Sequence, residues 1–320
     1  MIRTVTGDIH PDALGFTYSH EHLIGTPPPP TSIDDPDLVI LDEANAVLEA
    51  TYAKQVGVQS MYEASAWDYG RNPAALRRIS EQVGVNIIAC AGFNKGQWFD
   101  ERVRDKSIEE LEAQIVADVT VGMEGTDVRG GVIKFGTSYN HILPSEERVI
   151  RAAARAHRRT GAVLHGHTET GTMALEQLDL LRDEGVDLNQ VGLVHLMRNP
   201  DPWLHQQIAA AGAYLCCDGF SKVKYLPESV RVEIILEVVE AGYENRLLIG
   251  GDLARRSDLT SYTGGPGLGY IAGTWLPRFR GRLADRGYSA ARIDELVHTI
   301  FVANPAAYFD MTTPYPGGDR

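Results

Sequence analysis

The sequence predicts one (β/α)8 barrel spanning residues 1–320, with an insertion after the eighth strand. Eight β-rich runs alternate with eight helical patterns, and no low-complexity linker divides the chain. Eight alternations imply a parallel sheet, and eight strands are the number that closes on itself. The rival is an open doubly wound sheet, which would place a GxGxxG after the first strand. The sequence has none there.

The runs rich in strand-forming residues fall at 16–23, 59–64, 86–92, 131–135, 162–167, 191–196, 213–217 and 246–251. Between and after them, helical patterns occupy 43–55, 73–83, 108–121, 145–159, 172–183, 202–211, 228–241 and 290–301. Pro144-Ser145-Glu146-Glu147 is a helix start, and Gly57, Gly161, Gly185, Gly212 and Gly242 are stops. The prolines at 27–30 come too early to separate domains and read as a stiff loop after the first strand. A further helical stretch at 269–284 forms the insertion.

Composition narrows the function. With 43% hydrophobic and 23% charged residues the chain suits a large soluble core. It lacks eighteen consecutive apolar residues, and its N-terminus lacks the apolar stretch of a signal peptide. Cys90, Cys216 and Cys217 make neither a disulfide framework nor a CxxC pair, so a reducing cytoplasm is the expected location. A net charge of −13 repels nucleic acid and anionic membranes, and neither is an expected partner.

The chemistry sits at the strand ends. In Ser19-His20-Glu21-His22 the two histidines are two apart, so a strand turns both to one face. A lone buried histidine is usually a hydrogen-bonded core residue, but a pair at this spacing can chelate. Lys134 ends Val132-Ile133-Lys134, where apolar neighbours disfavour a snorkelling surface lysine. His165 and His167 share a face at the end of the fifth run, His195 ends the sixth, and Asp252 caps the apolar eighth. The steps from His22 to Lys134, His167, His195 and Asp252 are 112, 33, 28 and 57 residues, whole numbers of strand–helix units. These residues therefore converge on the C-terminal mouth, where barrel enzymes work. Six ligands exceed one catalytic site and suit two divalent cations about 3.5–4 Å apart. A lysine carbamate at Lys134 would supply two oxygens and a negative charge between them. A bridging hydroxide would complete the site as nucleophile.

With these motifs the sequence resembles the phosphotriesterase family of the amidohydrolase superfamily. The likeness runs from Ser19-His20-Glu21-His22 through Ala66-Trp67-Asp68-Tyr69-Gly70-Arg71, Val132-Ile133-Lys134, Gly166-His167-Thr168 and Gly251-Asp252 to Ala303-Asn304-Pro305-Ala306. The resemblance implies that His20, His22 and Asp252 hold a buried metal, and His167 and His195 a more exposed one. It implies Lys134 as the bridging N6-carboxylysine, selects His167 over His165, and leaves His165 one layer deeper. Zinc is the expected metal, with manganese or cobalt as substitutes.

The sequence departs from the organophosphate-hydrolysing members. Leu196-Met197-Arg198-Asn199-Pro200-Asp201 replaces their acidic run, and Cys217-Asp218-Gly219 lacks their histidine after the aspartate. Gly92-Phe93-Asn94-Lys95-Gly96 lacks the tyrosine of acyl-homoserine lactonases. Lys95, Arg198, Lys222, Lys224, Arg255 and Arg256 all fall in loops at the mouth, and six cations there on an acidic protein favour an anionic substrate. The resemblance thus implies a lactonase opening an anionic sugar lactone, phosphorylated ones included. Asp252 is the expected catalytic acid–base. The rivals are a phosphotriesterase (aryldialkylphosphatase), an acyl-homoserine lactonase, and a metal-binding sensor barrel without turnover. A small molecule is the expected partner, and assembly as a homodimer is admitted.

Overall fold

The computed structural model describes residues 1–311. An antiparallel hairpin of β1 (Ile2–Thr4) and β2 (Gly7–Ile9) precedes eight parallel strands. These are β3 (Thr17–Glu21), β4 (Ser60–Glu63), β5 (Asn86–Gly92), β6 (Val132–Gly136), β7 (Val163–His167), β8 (Val191–Val194), β9 (Tyr214–Cys217) and β10 (Leu247–Ile249). Each pairs with its sequence neighbours. The circuit closes where the Asp252 amide donates to the His20 carbonyl at 3.1 Å. The fold is the expected (β/α)8 barrel. All eight strands lie where the periodicity puts them, mostly shortened at their ends. The hairpin was not anticipated, because two three-residue strands carry no measurable alternation.

Period-two alternation divides the apolar residues into two layers. Ile133, Leu164, Leu193, Leu247 and Ile249 face outward and join the helices in one cluster. Val132, Val163, Val194, Cys216 and Leu248 face inward and form a second, which Ile2 of the hairpin and Tyr308 and Phe309 near the chain end also join. The inward face that begins with Val132 reaches Lys134 next, and the one that begins with Val163 reaches His165 and then His167. The mouth residues are thus continuations of the barrel's own packing rows.

The helices follow their end signals. Pro144–Thr160 opens with proline, Glu146 accepts from the Leu143 amide at 2.8 Å, and Gly161 stops it at φ 76°. Ile108–Thr120 starts with a capping box between Ser107 and Glu110. The helix expected from 172 begins later, at Ala174, because Met173 sits at φ 60°, outside helical geometry. The insertion after β10 contains a π-helical turn, Ile271–Trp275, running into the helix Leu276–Asp285. Among the described residues no helix is long and apolar enough to cross a membrane.

Candidate metal centre and active site

Five strand ends bring six buried side chains to the mouth. His20 lies within β3 and His22 just beyond it, and the Nε2 of each stands 3.5 Å from Asp252 Oδ1. The His195 ring is 5.6 Å from that of His20 and 4.6 Å from that of His167, centroid to centroid. Lys134 is 1% exposed and its Nζ donates to the Ala64 carbonyl at 2.7 Å. Potential ligand atoms of His20, His22 and Asp252 lie within 4.8 Å of one another, as do those of His195, Asp218 and Asp252.

Local backbone geometry aims two of these groups. His195 and Asp252 have φ of 68° and 54°, the left-handed region that costs a non-glycine residue roughly 1–3 kcal/mol. The turn there swings each side chain off its strand and over the mouth. Glu21, on the opposite face from His20 and His22, steadies the second turn by accepting from the Gly251 amide at 2.6 Å. Its burial pushes its carboxyl up to about 8.

Outer hydrogen bonds orient the imidazoles. Ser65 Oγ donates to Glu63 at 2.6 Å, so it accepts from His22 Nδ1 at 2.9 Å and leaves the Nε2 lone pair toward Asp252. Asp218 Oδ2 takes the Nδ1 proton of His195. Burial holds His20, His22, His167 and His195 below the ordinary imidazole pKa, in the neutral form that binds metals. Burial alone would raise the Asp252 carboxyl, but the Lys222 ammonium beside it holds it well below its usual range. Burial also lowers Lys134, favouring the neutral amine that reacts with carbon dioxide.

This donor set fits divalent cations. His20 Nε2 and Asp218 Oδ1 are buried without a hydrogen-bond partner among the described residues. An imidazole lone pair left so costs free energy unless something else occupies it. Neutral imidazoles around a carboxylate are zinc-type ligands.

The sequence model of the phosphotriesterase family matches residues 1–309. The chain belongs to the phosphotriesterase family. It is a metal-dependent hydrolase. A lactonase from Listeria monocytogenes superposes with a TM-score of 0.93 at 39% identity, over 98% of this chain and 99% of that one. The phosphotriesterase homology protein of Escherichia coli strain K12 is 33% identical over 93% of this chain and 99% of its own length. Its solved structure, described as complexed with phosphate in the active site, superposes with a TM-score of 0.86 over 93% of this chain and all of that one. A phospho-furanose lactonase of Mycoplasmopsis synoviae is 30% identical over 86% of this chain and 84% of its own.

Within this family site the six expected ligands line one cavity of about 320 Å³, together with Tyr69, Trp98, Tyr225 and Leu38. The expected cations divide. Lys95, Arg198, Lys222 and Arg255 line the cavity; Lys224 and Arg256 do not. Lys224 stands over the Tyr225 ring at 5.2 Å, and Arg256 Nε donates to the Val39 carbonyl at 2.7 Å. The four that remain are paired rather than freely solvated. Lys95 bonds Glu169, Arg198 Nη2 reaches Asp252 Oδ2 at 3.0 Å, and Arg255 reaches Asp35 at 2.7 Å. Lys222 bonds the Asp252 carbonyl and lies 3.2 Å from its Oδ2 and 3.4 Å from Asp258.

Sequence reasoning gave no role to Ser65, Glu63, Glu21 or Tyr225, and noted Asp218 only as a departure. A buried acid beside a histidine motif was the available signal for Glu21 alone. The others meet the site only through tertiary contact.

Proposed function

We propose that this hydrolase is a lactonase that holds two divalent cations and opens an anionic sugar lactone. The observation that carries the reading is the cationic wall of Arg198, Lys222 and Arg255 in the same cavity as the six ligand residues. Such a wall in a chain of net charge −13 favours a negatively charged guest. The names of the Listeria and Mycoplasmopsis relatives, and the phosphate in the Escherichia coli relative, support it.

His20, His22 and Asp252 would hold one cation, His167 and His195 the other, and Lys134, as its carbamate, both. When bound, the cations supply Lewis acidity for the lactone carbonyl and lower the pKa of water. Asp252 accepts a proton at its carboxylate as the acyl carbon is attacked, and returns it to the ring oxygen as the C–O bond breaks. Arg198 and Lys222, both on Oδ2, hold that carboxylate in place between the two transfers. Arg255 lies on the cavity wall, where its Nη1 meets Asp35 at 2.7 Å and Asp37 at 3.5 Å, and its remaining guanidinium donors would pair with the substrate anion. Tyr69, Trp98 and Leu38 give the sugar an apolar surface and exclude water from the ring.

A parallel screen of the zinc- or manganese-loaded protein against phosphorylated sugar lactones, neutral sugar lactones, homoserine lactones and paraoxon tests the reading. The highest kcat/KM is expected on a phosphorylated sugar lactone. Preference for paraoxon or homoserine lactones would move the protein to another branch of the family. No turnover of any member would favour a sensor.

A further inference from the structure

His165 is the first histidine of a His-Gly-His segment, and the mechanism above does not use it. It lies two residues before His167 on the same inward face, fully buried, one layer below the mouth. Its surroundings are closed. The Tyr62 ring packs edge-on at 4.9 Å, the His20 ring stacks at 5.1 Å, and Tyr308 rises beneath it from the helix Asn304–Tyr308.

Three hydrogen bonds join these groups in series. The Tyr308 hydroxyl donates to the Leu164 carbonyl at 2.7 Å. His165 Nδ1 lies 3.1 Å from the Tyr308 oxygen, and His165 Nε2 lies 2.9 Å from His20 Nδ1. The direction of this series follows from its last member, since a backbone carbonyl can only accept. The Tyr308 proton is therefore committed to Leu164, and its oxygen must accept from His165. A neutral His165 with its proton on Nδ1 presents a lone pair at Nε2. His20 must then carry its proton on Nδ1, and its Nε2 lone pair points up toward Asp252, where no donor among the described residues meets it.

We infer that His165 is a positioning residue: with Tyr308 it fixes from below the one tautomer of His20 that can bind a metal. The same hydrogen bond ties together the two histidines that, with Cys216, make a third possible ligand group deeper in the barrel. His20 is thereby reserved for the mouth. Outer partners of this kind hold a ligating imidazole in one tautomer and orientation, and losing one costs about ten- to a hundredfold in metal affinity.

The inference rests on the proposed metal site, and three variants separate the two. His165→Gln keeps an acceptor toward His20 and a donor toward Tyr308. His165→Leu fills a similar volume with neither. Tyr308→Phe keeps the ring and removes the hydroxyl that sets the direction. Each metal-free protein is titrated with zinc against a chromophoric chelator, with its unfolding midpoint measured alongside. Long-range 1H–15N spectra of histidine-labelled metal-free protein report the His20 tautomer.

The expected result is a loss of about ten- to a hundredfold in zinc affinity at one site for His165→Leu and Tyr308→Phe. His165→Gln should bind as the parent does, and the parent spectrum should show His20 protonated at Nδ1. Parent-like zinc binding by Tyr308→Phe and a folded His165→Leu, or a His20 proton on Nε2, overturns the inference and leaves the metal site standing. If His165→Leu does not fold, the tyrosine variant and the spectrum decide. A parent protein that binds no zinc overturns the metal site itself, and this inference with it.

Discussion

The amide of Asp252 donates to the carbonyl of His20 at 3.1 Å, so the hydrogen bond that closes the barrel also sets two of the expected ligand residues side by side. The seam leaves little room. Gly250 precedes it, and a Cβ there would come within 2.5 Å of both the nitrogen and the oxygen of His20. Those are backbone atoms that no rotamer change can move aside.

Gly250→Ala should therefore force β3 and the turn after β10 apart. Overpacking of this sort costs about 1–3 kcal/mol, and here the displaced atoms also carry His20. Thermal unfolding of the metal-free and metal-loaded variant checks it. A lower midpoint and weakened metal binding are expected together. A parent-like midpoint would show that the seam yields without cost.

Asp218→Asn should weaken retention of the metal at His195 by about ten- to a hundredfold, because the carboxylate that takes the Nδ1 proton is replaced by a weaker acceptor. Elemental analysis after dialysis against a mild chelator measures this. Metal content equal to the parent would reduce Asp218 to a packing role.

The cations should separate by position. Neutralising Arg255 removes a charge-assisted contact worth roughly 1.5–3 kcal/mol, or about ten- to a hundredfold in kcat/KM for an anionic lactone. The unphosphorylated form of the same lactone should change little. Lys222→Met should slow both forms, since Lys222 holds Asp252 itself. Lys224→Met and Arg256→Met, outside the cavity, should alter neither. Equal effects of Arg255→Met on both forms would remove it from the anion site.

Acid should destabilise the fold through buried histidines outside the expected ligand set. Burial pushes His157 and His205 below the ordinary imidazole pKa, with ring nitrogens on the Ala162 and Leu196 carbonyls at 2.8 and 3.2 Å. The unfolded chain then binds protons that the native state does not, so stability rises with pH up to about 6.5 and falls below it. Melting temperatures of the metal-free protein between pH 5 and 7.5 should show that slope. His157→Gln should make it shallower, and an unchanged slope would rule His157 out as a source.

The fold and the convergence of these six side chains on one cavity were legible because both depend on local period. Lys134, His167, His195 and Asp252 are marked by ending apolar runs, and His20 with His22 by their spacing. What could not be read is what faces them. Lys95 meets Glu169 across 74 residues, and Arg255 meets Asp35 across 220. Charge counted along the mouth loops therefore overstated the free cations. Lys224 and Arg256 failed to reach the cavity for a related reason: loop side chains take their direction from tertiary partners such as Tyr225 and Val39, which no periodicity encodes. Tyr308, near the chain end, touches His165 across 143 residues and left no local trace.

Ring opening of a phosphorylated sugar lactone by the same preparation, measured metal-loaded, chelator-stripped and reloaded with zinc, tests the central claim most directly. The account predicts kcat/KM of at least about 10⁴ M⁻¹s⁻¹ when loaded, loss on stripping and recovery on reloading, with Asp252→Asn inactive throughout. Turnover that survives complete removal of the metal, or that Asp252→Asn retains, would contradict it.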